Sequence, residues 1–461
     1  MSIMIAMQWL VFLAFASFHI RYFGLNIFHP IIFYLLFHFL VFVFHPTVAE
    51  FFHFNITYNY MRFVPSEETR IRALLVADVA LAAFCLTATY VTRISRVPGT
   101  FPTERGFSED LNVPLLKRSF LLASAILTPV ILVSLYYYFT HPLLIHRHFG
   151  TTSAMELTQS VKNGAVLFSN TPSYIWQAEY MTAPLVITWA FLNRFRLIHC
   201  IPFAIYIAIR SYDGAGRFAF VIIALAFGLL YLVSRAKDVV SSRLLLFMAM
   251  ILVLFGALGQ NRLLVKELTG TLNPVEAELR GEASHVKVWS DRSYLDGQDF
   301  ANYEYLSFIV YYVPEYSRTY TYFTQYLTVL VRPIPRAIWK DKPERDLIPM
   351  VNLNSFGRFD VLTPSIVGDG WVSLGYIGVI VTLATVAWML GSAYNRFALG
   401  EPSAIYTVVY CVILAFSLQW FRDGGTSIAV FLGVNLFPIW VWWMIHRWLS
   451  QGVVAPQRKM A

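Results

Sequence analysis

Long apolar runs separated by short polar segments make up most of this chain. Runs of about 20 apolar residues are typical of helices that cross a membrane. The pattern predicts eleven such helices, at residues 3–20, 28–48, 72–92, 118–139, 174–193, 197–212, 216–234, 243–260, 367–391, 403–421 and 427–447. The expected fold class is therefore all-α, a polytopic integral membrane protein of about eleven transmembrane helices.

The longest polar connection suggests how the chain is organised. Residues 1–260 hold eight predicted spans, residues 261–366 form one large extramembrane loop with short amphipathic helices, and residues 367–461 hold three spans. We expect these three regions to act as a single functional unit.

Composition excludes a soluble protein. Of the 461 residues, 57% are hydrophobic and 13% are charged, whereas soluble domains carry about 25% charged residues. The formal charge of +8 follows the membrane topology described next, so it does not indicate a nucleic-acid partner.

Lysine and arginine are distributed unevenly between the two sets of alternating loops. One set and the C-terminal tail hold 15 of them, and the opposite set holds 8 when the long loop is left out. Because cytoplasmic loops carry the excess of these residues, we expect a cytoplasmic C-terminus, an N-terminus outside and the long loop outside.

Five histidines lie in or near the first two predicted helices: His19, His29, His38, His45 and His53. Imidazoles at such positions pair with neighbouring helices or lie at the membrane interface. A metal or lipid-headgroup role stays open, although we expect no carboxylate or thiol partner nearby.

Three outward-facing segments carry charge near membrane depth. The first is RSYDGAGRFAF, with Arg210, Asp213 and Arg217 around a short turn. Charges at this depth are costly and tend to face a polar cavity. The alternative is an ordinary capped turn whose arginines reach the interface.

The long loop contributes the second segment. Eight tyrosines, Tyr320 among them, lie between residues 302 and 326, and RPIPRAIWKDKP follows at Arg332–Pro343. Tyrosine suits sugar rings and membrane interfaces alike. The prolines stiffen the chain, so Arg336 and Lys342 are presented on a rigid segment, and arginine matches phosphate oxygens.

The third segment is VGDGWVSLGYIG, where Asp369 stands between two glycines at the predicted start of the ninth helix. It could be a catalytic carboxylate or a plain N-cap. Arg422 lies at the outer end of the tenth helix. These groups predict a site for a phosphate-bearing, hydroxyl-rich substrate, in which cations bind a diphosphate and a carboxylate accepts a proton.

Several motifs are absent from the sequence. It contains no Walker A, dinucleotide-binding, HExxH or DxD motif. We therefore expect neither a nucleotide-sugar donor nor a metal or other cofactor.

Three pieces of the chain resemble the bacterial O-antigen polymerase (Wzy) or oligosaccharide repeat-unit polymerase family. They are VPEYSRTYTYFTQYLTVLVRPIPRAIWKDKP (Val313–Pro343), GRFAFVIIALAFGLLYLVSR (Gly216–Arg235) and GDGWVSLGYIG (Gly368–Gly378). That family usually has glutamate where this chain has Asp369.

The resemblance implies a fold, a reaction and a location. The fold would be like the helical glycosyltransferases that use polyprenyl-linked donors (GT-C type). The reaction would transfer a growing glycan from undecaprenyl diphosphate to the non-reducing end of a new lipid-linked repeat unit, on the periplasmic face of the bacterial inner membrane.

The resemblance also suggests residue roles and partners. Arg217 and Arg336 match the family's arginines and would contact the diphosphate, and Asp369 would be the base. Arg210, Asp213, Lys342 and Arg422 join the substrate site on physical grounds, with Tyr320 facing the sugar. Expected partners are the lipid-linked oligosaccharide and membrane lipids, with a chain-length regulator and a flippase as further candidates.

Two alternatives stay open. An O-antigen ligase shares the helices, the outer loop and the lipid donor. A transporter or flippase of lipid-linked oligosaccharide would bind near the bilayer midplane, often through broken helices, and often shows an internal repeat. No such repeat is evident in the sequence.

Overall fold

The structure is a computed structural model. It describes residues 1–24, 26–54, 58, 63–93, 113–140, 177–213, 217–235, 246, 250–251, 253–254, 264–271, 301–331, 334, 338–339, 363–400 and 403–454. Most of the predicted helix at 243–260, and Arg336 and Lys342, lie outside these residues.

Every regular element in the described part of the chain is helical. The α-helices are α1 Ser2–Phe23, α2 Pro30–His38, α3 His45–Phe51, α4 Glu67–Thr92, α5 Val113–Thr140, α6 Thr182–Leu192, α7 Leu197–Asp213, α8 Arg217–Ser234, α9 Leu264–Leu268, α10 Asn302–Tyr312, α11 Thr324–Val331, α12 Ser365–Leu399, α13 Ala404–Asp423 and α14 Gly425–Val454. A π-helix, Phe39–Phe44, joins α2 to α3, and a 3-10 helix, Ala178–Met181, precedes α6.

Six helical segments are long and apolar enough to cross a membrane: Ile3–Phe23, Pro30–Phe51, Glu67–Thr92, Val113–Tyr136, Ser365–Leu399 and Ala404–Asp423. They correspond to the first four, the ninth and the tenth predicted helices, and the all-α membrane character is confirmed. The segments Leu197–Tyr212 and Phe220–Ser234 are shorter apolar helices, and α6 has only 11 residues. The total of eleven spans stays a prediction.

α1 shows why such helices need lipid. On its outer face, Ile3, Leu10 and Phe18 are 81%, 68% and 50% exposed, respectively. Apolar side chains in a continuous exposed row are stable only against other hydrocarbon. The exposed row on α1 therefore fits the acyl region of a bilayer.

The chain packs into two compact units, each assembled from several segments. Unit 1 contains α1–α4, α10, α11, most of α12 and the junction of α13 with α14. Unit 2 contains α5–α9, the end of α12, most of α13 and most of α14. The topological division at residues 260 and 366 stays a prediction.

Aromatic packing forms the core of unit 1. The ring of Tyr34 on α2 stacks on Phe84 of α4 at 4.1 Å between centroids, and Phe421 of α13 meets Tyr34 edge-on at 5.1 Å. All three side chains are fully buried. Aromatic pairs in this geometry add stability beyond the area that they bury.

α12 is broken in the middle. Leu374 has φ −167° and ψ 42°, and Gly375 has φ 59° and ψ −140°, neither of which is helical. A Cβ on Gly370 would lie 2.7 Å from the Cα of Val379, whereas residues nine apart in a straight helix are separated by about 13.5 Å. The first part of α12 therefore folds back on the second, and Gly370 permits the close approach.

In unit 2, the polar contacts tie α5 to its neighbours. The indole nitrogen of Trp442 on α14 donates to Ser119 Oγ at 3.1 Å and to the Leu116 carbonyl at 3.2 Å. Lys117 Nζ donates to Asn193 Oδ1, just beyond α6, at 2.8 Å. These bonds satisfy polar groups that would otherwise be stranded in apolar surroundings.

Candidate functional site

Asp369 is the best-defined candidate, and it is buried, with 1% of its surface exposed. α12 begins at Ser365, so Asp369 lies in its second turn. Its Oδ2 accepts a hydrogen bond from the backbone N–H of Gly425, the first residue of α14, at 2.6 Å. The alternative that Asp369 caps its own helix is therefore wrong, because the carboxylate binds the N-terminus of another helix.

The α13–α14 junction is shaped to receive this carboxylate. Gly424 has φ +86°, and a Cβ there would collide with Asp369 Oδ2 at 2.5 Å. A helix N-terminus carries a partial positive charge that stabilises an anion. The N-terminus of α14 therefore lies where it favours negative charge on the Asp369 carboxylate.

Residues 320–326, the last part of the tyrosine-rich stretch, stabilise the broken region of α12 by hydrogen bonds. The N–H groups of Thr321 and Tyr322 donate to the carbonyls of Val372 and Ser373 at 2.9 and 3.1 Å. The Gln325 amide donates to Ser373 Oγ at 2.6 Å and to the Asp369 carbonyl at 3.3 Å. A break in an apolar helix frees carbonyls that need new donors, and this segment supplies them.

Two tyrosines of this segment lie beside the site. Tyr326 is half-buried with its hydroxyl oxygen shielded from solvent, and its ring contacts the position that a Cβ on Gly425 would take. Burial, and then the nearby charge of Asp369, raise the pKa of Tyr326, which keeps the hydroxyl protonated. The Tyr320 hydroxyl is 3.2 Å from the Cβ position of Gly375 at the break, and Tyr320 is half-buried.

A cation and a second carboxylate lie at the α13–α14 junction, next to the glycines that contact Asp369. Arg422 Nη1 lies 3.2 Å from Asp423 Oδ1, and both side chains are partly exposed, at 17% and 14%. Asn302 on α10 donates to the Arg422 carbonyl at 2.9 Å and also to Thr363. Arg422 therefore stands at the turn that receives Asp369, within reach of solvent.

Arg72 adds a further positive charge on the same unit. Its guanidinium lies over the ring of Trp371, 5.3 Å from the centroid. Trp371 is buried two residues after Asp369, and its indole donates to the Val313 carbonyl at 2.8 Å. An exposed arginine on a buried aromatic ring is held in place while its charge stays available.

The other tyrosines of the loop divide between core and surface. Tyr303, Tyr305 and Tyr312 on α10 are buried, so they are core residues and not contacts for a sugar or an interface. Tyr311 and Tyr316 stack at 4.7 Å and share a hydrogen bond at the surface.

His19 and His29 pair with a neighbouring helix, α4, as one sequence alternative predicted. His19 Nε2 lies 2.7 Å from Thr89 Oγ1, and His29 Nε2 lies 3.1 Å from Thr92 Oγ1. The expected lack of a carboxylate partner is wrong for His45, whose Nδ1 lies 3.4 Å from Glu304 Oε1, with both side chains buried. The carboxylate comes from α10, far along the chain.

Arg210 has a buried counter-ion within unit 2. Its Nη1 donates to Glu179 Oε1 at 2.8 Å, and its Nη2 donates to the Tyr180 hydroxyl at 3.0 Å. Arg210 and Glu179 are 3% and 4% exposed. The polar environment expected for Arg210 is therefore built from side chains of the protein itself.

The remaining predicted site residues have no described side chain. α7 ends at Asp213 and α8 begins at Arg217, but the turn predicted between them and the side chains of both residues, like Arg336 and Lys342, lie outside the described part of the chain. Of the predicted set, the structure brings Asp369 and Arg422 to the α13–α14 junction and places Tyr320 at the break in α12.

Sequence reasoning missed four residues of these clusters: Glu179, Glu304, Gln325 and Asp423. Glu179 carried a signal, because it is the one acidic residue in the apolar run YIWQAEYMTAPLVITWAFL. Intramembrane carboxylates of this kind are functional or paired. Glu304 and Gln325 are paired with residues that lie far away in the chain, whereas Asp423 is paired with the adjacent Arg422.

Chemically, the site of unit 1 combines two carboxylates, a solvent-accessible arginine and several hydroxyl and amide groups. Among the residues that the structure describes, no cluster of three or more His, Cys, Asp or Glu could hold a metal ion.

No protein-family model, curated protein or solved structure matches the chain.

Proposed function

We propose that this protein is a membrane glycosyltransferase of the helical, polyprenyl-donor type. It would polymerise undecaprenyl-diphosphate-linked oligosaccharide repeat units into O-antigen or a related polysaccharide at the periplasmic face of the inner membrane. Eleven spans, with the N-terminus periplasmic and the C-terminus cytoplasmic, are part of this proposal.

One observation carries the proposal: the buried carboxylate of Asp369 is held at the N-terminus of α14, next to the partly exposed Arg422–Asp423 pair. A glycan transfer of this kind needs both charges. An acceptor hydroxyl attacks the anomeric carbon, the bond from that carbon to the phosphate oxygen breaks, and undecaprenyl diphosphate leaves with the bonding electrons. A carboxylate accepts the hydroxyl proton and cations stabilise the leaving diphosphate.

The burial of Asp369 suggests how these roles are divided. Its Oδ2 is held by the Gly425 N–H, which fixes the carboxylate in one orientation. Asp423 is more accessible and also accepts from Gln419 Nε2 at 3.2 Å. We keep Asp369 as the proposed base and add Asp423 as the alternative that solvent can reach.

In this proposal the diphosphate is bound by Arg422, with Arg217, Arg336 and Lys342 from the same predicted outer face. Asp213 would accept from a sugar hydroxyl and Tyr320 would stack on the ring. Arg210, whose guanidinium is paired with Glu179, keeps its place among the proposed substrate-binding residues.

The break in α12 favours a second candidate function. Discontinuous helices at membrane depth are typical of transporters, and Asp369 and Gln325 lie at this one. A transporter of lipid-linked oligosaccharide would use the same lipid and the same cations. A ligase would use the same donor with a lipid A core as acceptor.

The test is reconstitution of the purified protein in nanodiscs with synthetic undecaprenyl-diphosphate-linked repeat units and a chelator. We expect a ladder of glycan lengths on a gel, which is lost in Arg422→Gln and retained in the matched surface variant Glu50→Gln. A single product formed only with a lipid A core would identify a ligase. Movement of the lipid across proteoliposomes without a ladder would identify a transporter and overturn the proposal.

A further inference from the structure

Unit 2 contains a half-open cavity of about 670 Å³. It is formed by the end of α12, the start of α13 and the middle of α14. Its volume lies in the range of about 300–1,000 Å³ that is common for small-molecule sites. Nothing in the proposed transfer reaction uses it.

The mouth of this cavity is cationic. Arg396 is exposed, and its guanidinium stacks over the Tyr406 ring, 4.8 Å from the centroid. Within the described residues no carboxylate forms an ion pair with it. Stacking holds the flat guanidinium in place and leaves its N–H donors facing outward.

Ser403 places a hydroxyl beside this charge. Its Oγ accepts from the Tyr406 N–H at 3.3 Å, so its own proton can be donated. α13 begins at the next residue, and the N–H groups of its first turn add positive potential. An arginine, a hydroxyl and a helix N-terminus together match a phosphate.

The rest of the cavity lining is apolar. Val409, Leu436 and Ile439 line it, and Trp440 at the opening is 50% exposed. Trp443 also lines it, is 41% exposed and stacks with Arg447 at 5.6 Å. Exposed tryptophans next to arginines are typical of the level of lipid headgroups.

We infer that this cavity binds an anionic phospholipid, with its phosphate at Arg396 and Ser403 and one acyl chain along Val409, Leu436 and Ile439. A soluble anion would leave the apolar part of the cavity unfilled. A neutral lipid would leave the Arg396 charge without a counter-ion. Arg396 and Arg447 belong to the Lys/Arg-rich set predicted to be cytoplasmic. The site therefore takes its lipid from the cytoplasmic leaflet, where anionic headgroups concentrate.

The test is native mass spectrometry of the purified protein in detergent, titrated with phosphatidylglycerol or with phosphatidylethanolamine of the same chains. We expect one phosphatidylglycerol to be retained in preference. Arg396→Gln should weaken this binding about fivefold, the effect typical of one basic residue at an anionic surface. Val409→Phe fills the apolar part of the cavity and keeps the Arg396 charge, and it should weaken phosphatidylglycerol binding as well.

Arg93→Gln is the matched control, because Arg93 is also exposed and stacks on a tyrosine, 4.3 Å from the Tyr90 centroid, without lining this cavity. It should bind phosphatidylglycerol like the wild type. Equal loss in Arg93→Gln and Arg396→Gln, or equal retention of the two lipids by the wild type, overturns the inference. The readout is lipid retention, so it is independent of glycan transfer.

Discussion

The carboxylate of Asp369 and the backbone N–H of Gly425 meet at 2.6 Å although 56 positions separate them in the chain. This bond ties the folded-back part of α12 to the start of α14. It makes one acidic side chain responsible both for anchoring a helix junction and for the negative charge of the candidate site.

Asp369→Asn separates these two roles. Asparagine keeps an oxygen for the Gly425 N–H but loses the charge at the helix N-terminus, which we expect to lower stability by about 0.3–2 kcal/mol. Asp369→Ala also strands a buried N–H, which adds about 1–3 kcal/mol. Thermal unfolding in detergent should rank wild type above Asn and Asn above Ala.

The same variants test the chemistry. If Asp369 accepts the proton, both should give no glycan ladder even where Asp369→Asn stays folded. A normal ladder from the folded Asn variant would restrict Asp369 to anchoring and transfer the role of base to Asp423.

Gly424 and Gly433 offer a matched pair of Gly→Ala changes around α14. At Gly424 the φ of +86° and the collision with Asp369 should make alanine destabilising by more than about 1–2 kcal/mol. Gly433 lies within the helix with open space around its Cβ position, so alanine should be neutral or stabilising by up to about 1 kcal/mol. Similar melting temperatures for the two variants would contradict the close packing of the junction.

The helices were predictable because hydropathy is a local property of the sequence. The apolar runs at 3–20 and 403–421, for example, became α1 and α13 with ends that moved by only a few residues. The break in α12 was not predicted, because LGYIG lies in an apolar run whose composition permits a continuous helix, and only packing of Gly370 against Val379 requires the reversal.

The partners of charged residues were harder to predict than the residues themselves. Asp369 was selected because it stands between two glycines, and that same pattern suggested a cap for its own helix. Its actual partner, like the partner of His45, comes from a distant helix. Nothing in a single sequence specifies which distant helices will pack together.

The buried pair of His45 and Glu304 predicts a large loss of stability. Breaking a buried pair leaves a charge or dipole without compensation, which costs about 3–5 kcal/mol. We therefore expect Glu304→Ala to unfold at much lower temperature than the wild type. The control is Glu50→Ala, since the Glu50–Arg70 pair is 36% and 29% exposed and such pairs contribute about 0–1 kcal/mol. Equal effects of the two variants would show that the Glu304 pair does not stabilise the fold.

Arg210 allows the substrate-binding role to be separated from a structural one. Arg210→Met leaves Glu179 buried without its partner, so we expect a loss of about 3–5 kcal/mol. The double variant Arg210→Met with Glu179→Leu replaces the pair by apolar groups and should recover most of the stability. If the pair serves only to stabilise the fold, the double variant should also recover glycan ladders. A double variant that melts like the wild type but makes no ladder would show instead that Arg210 contacts the diphosphate directly, as the sequence first suggested.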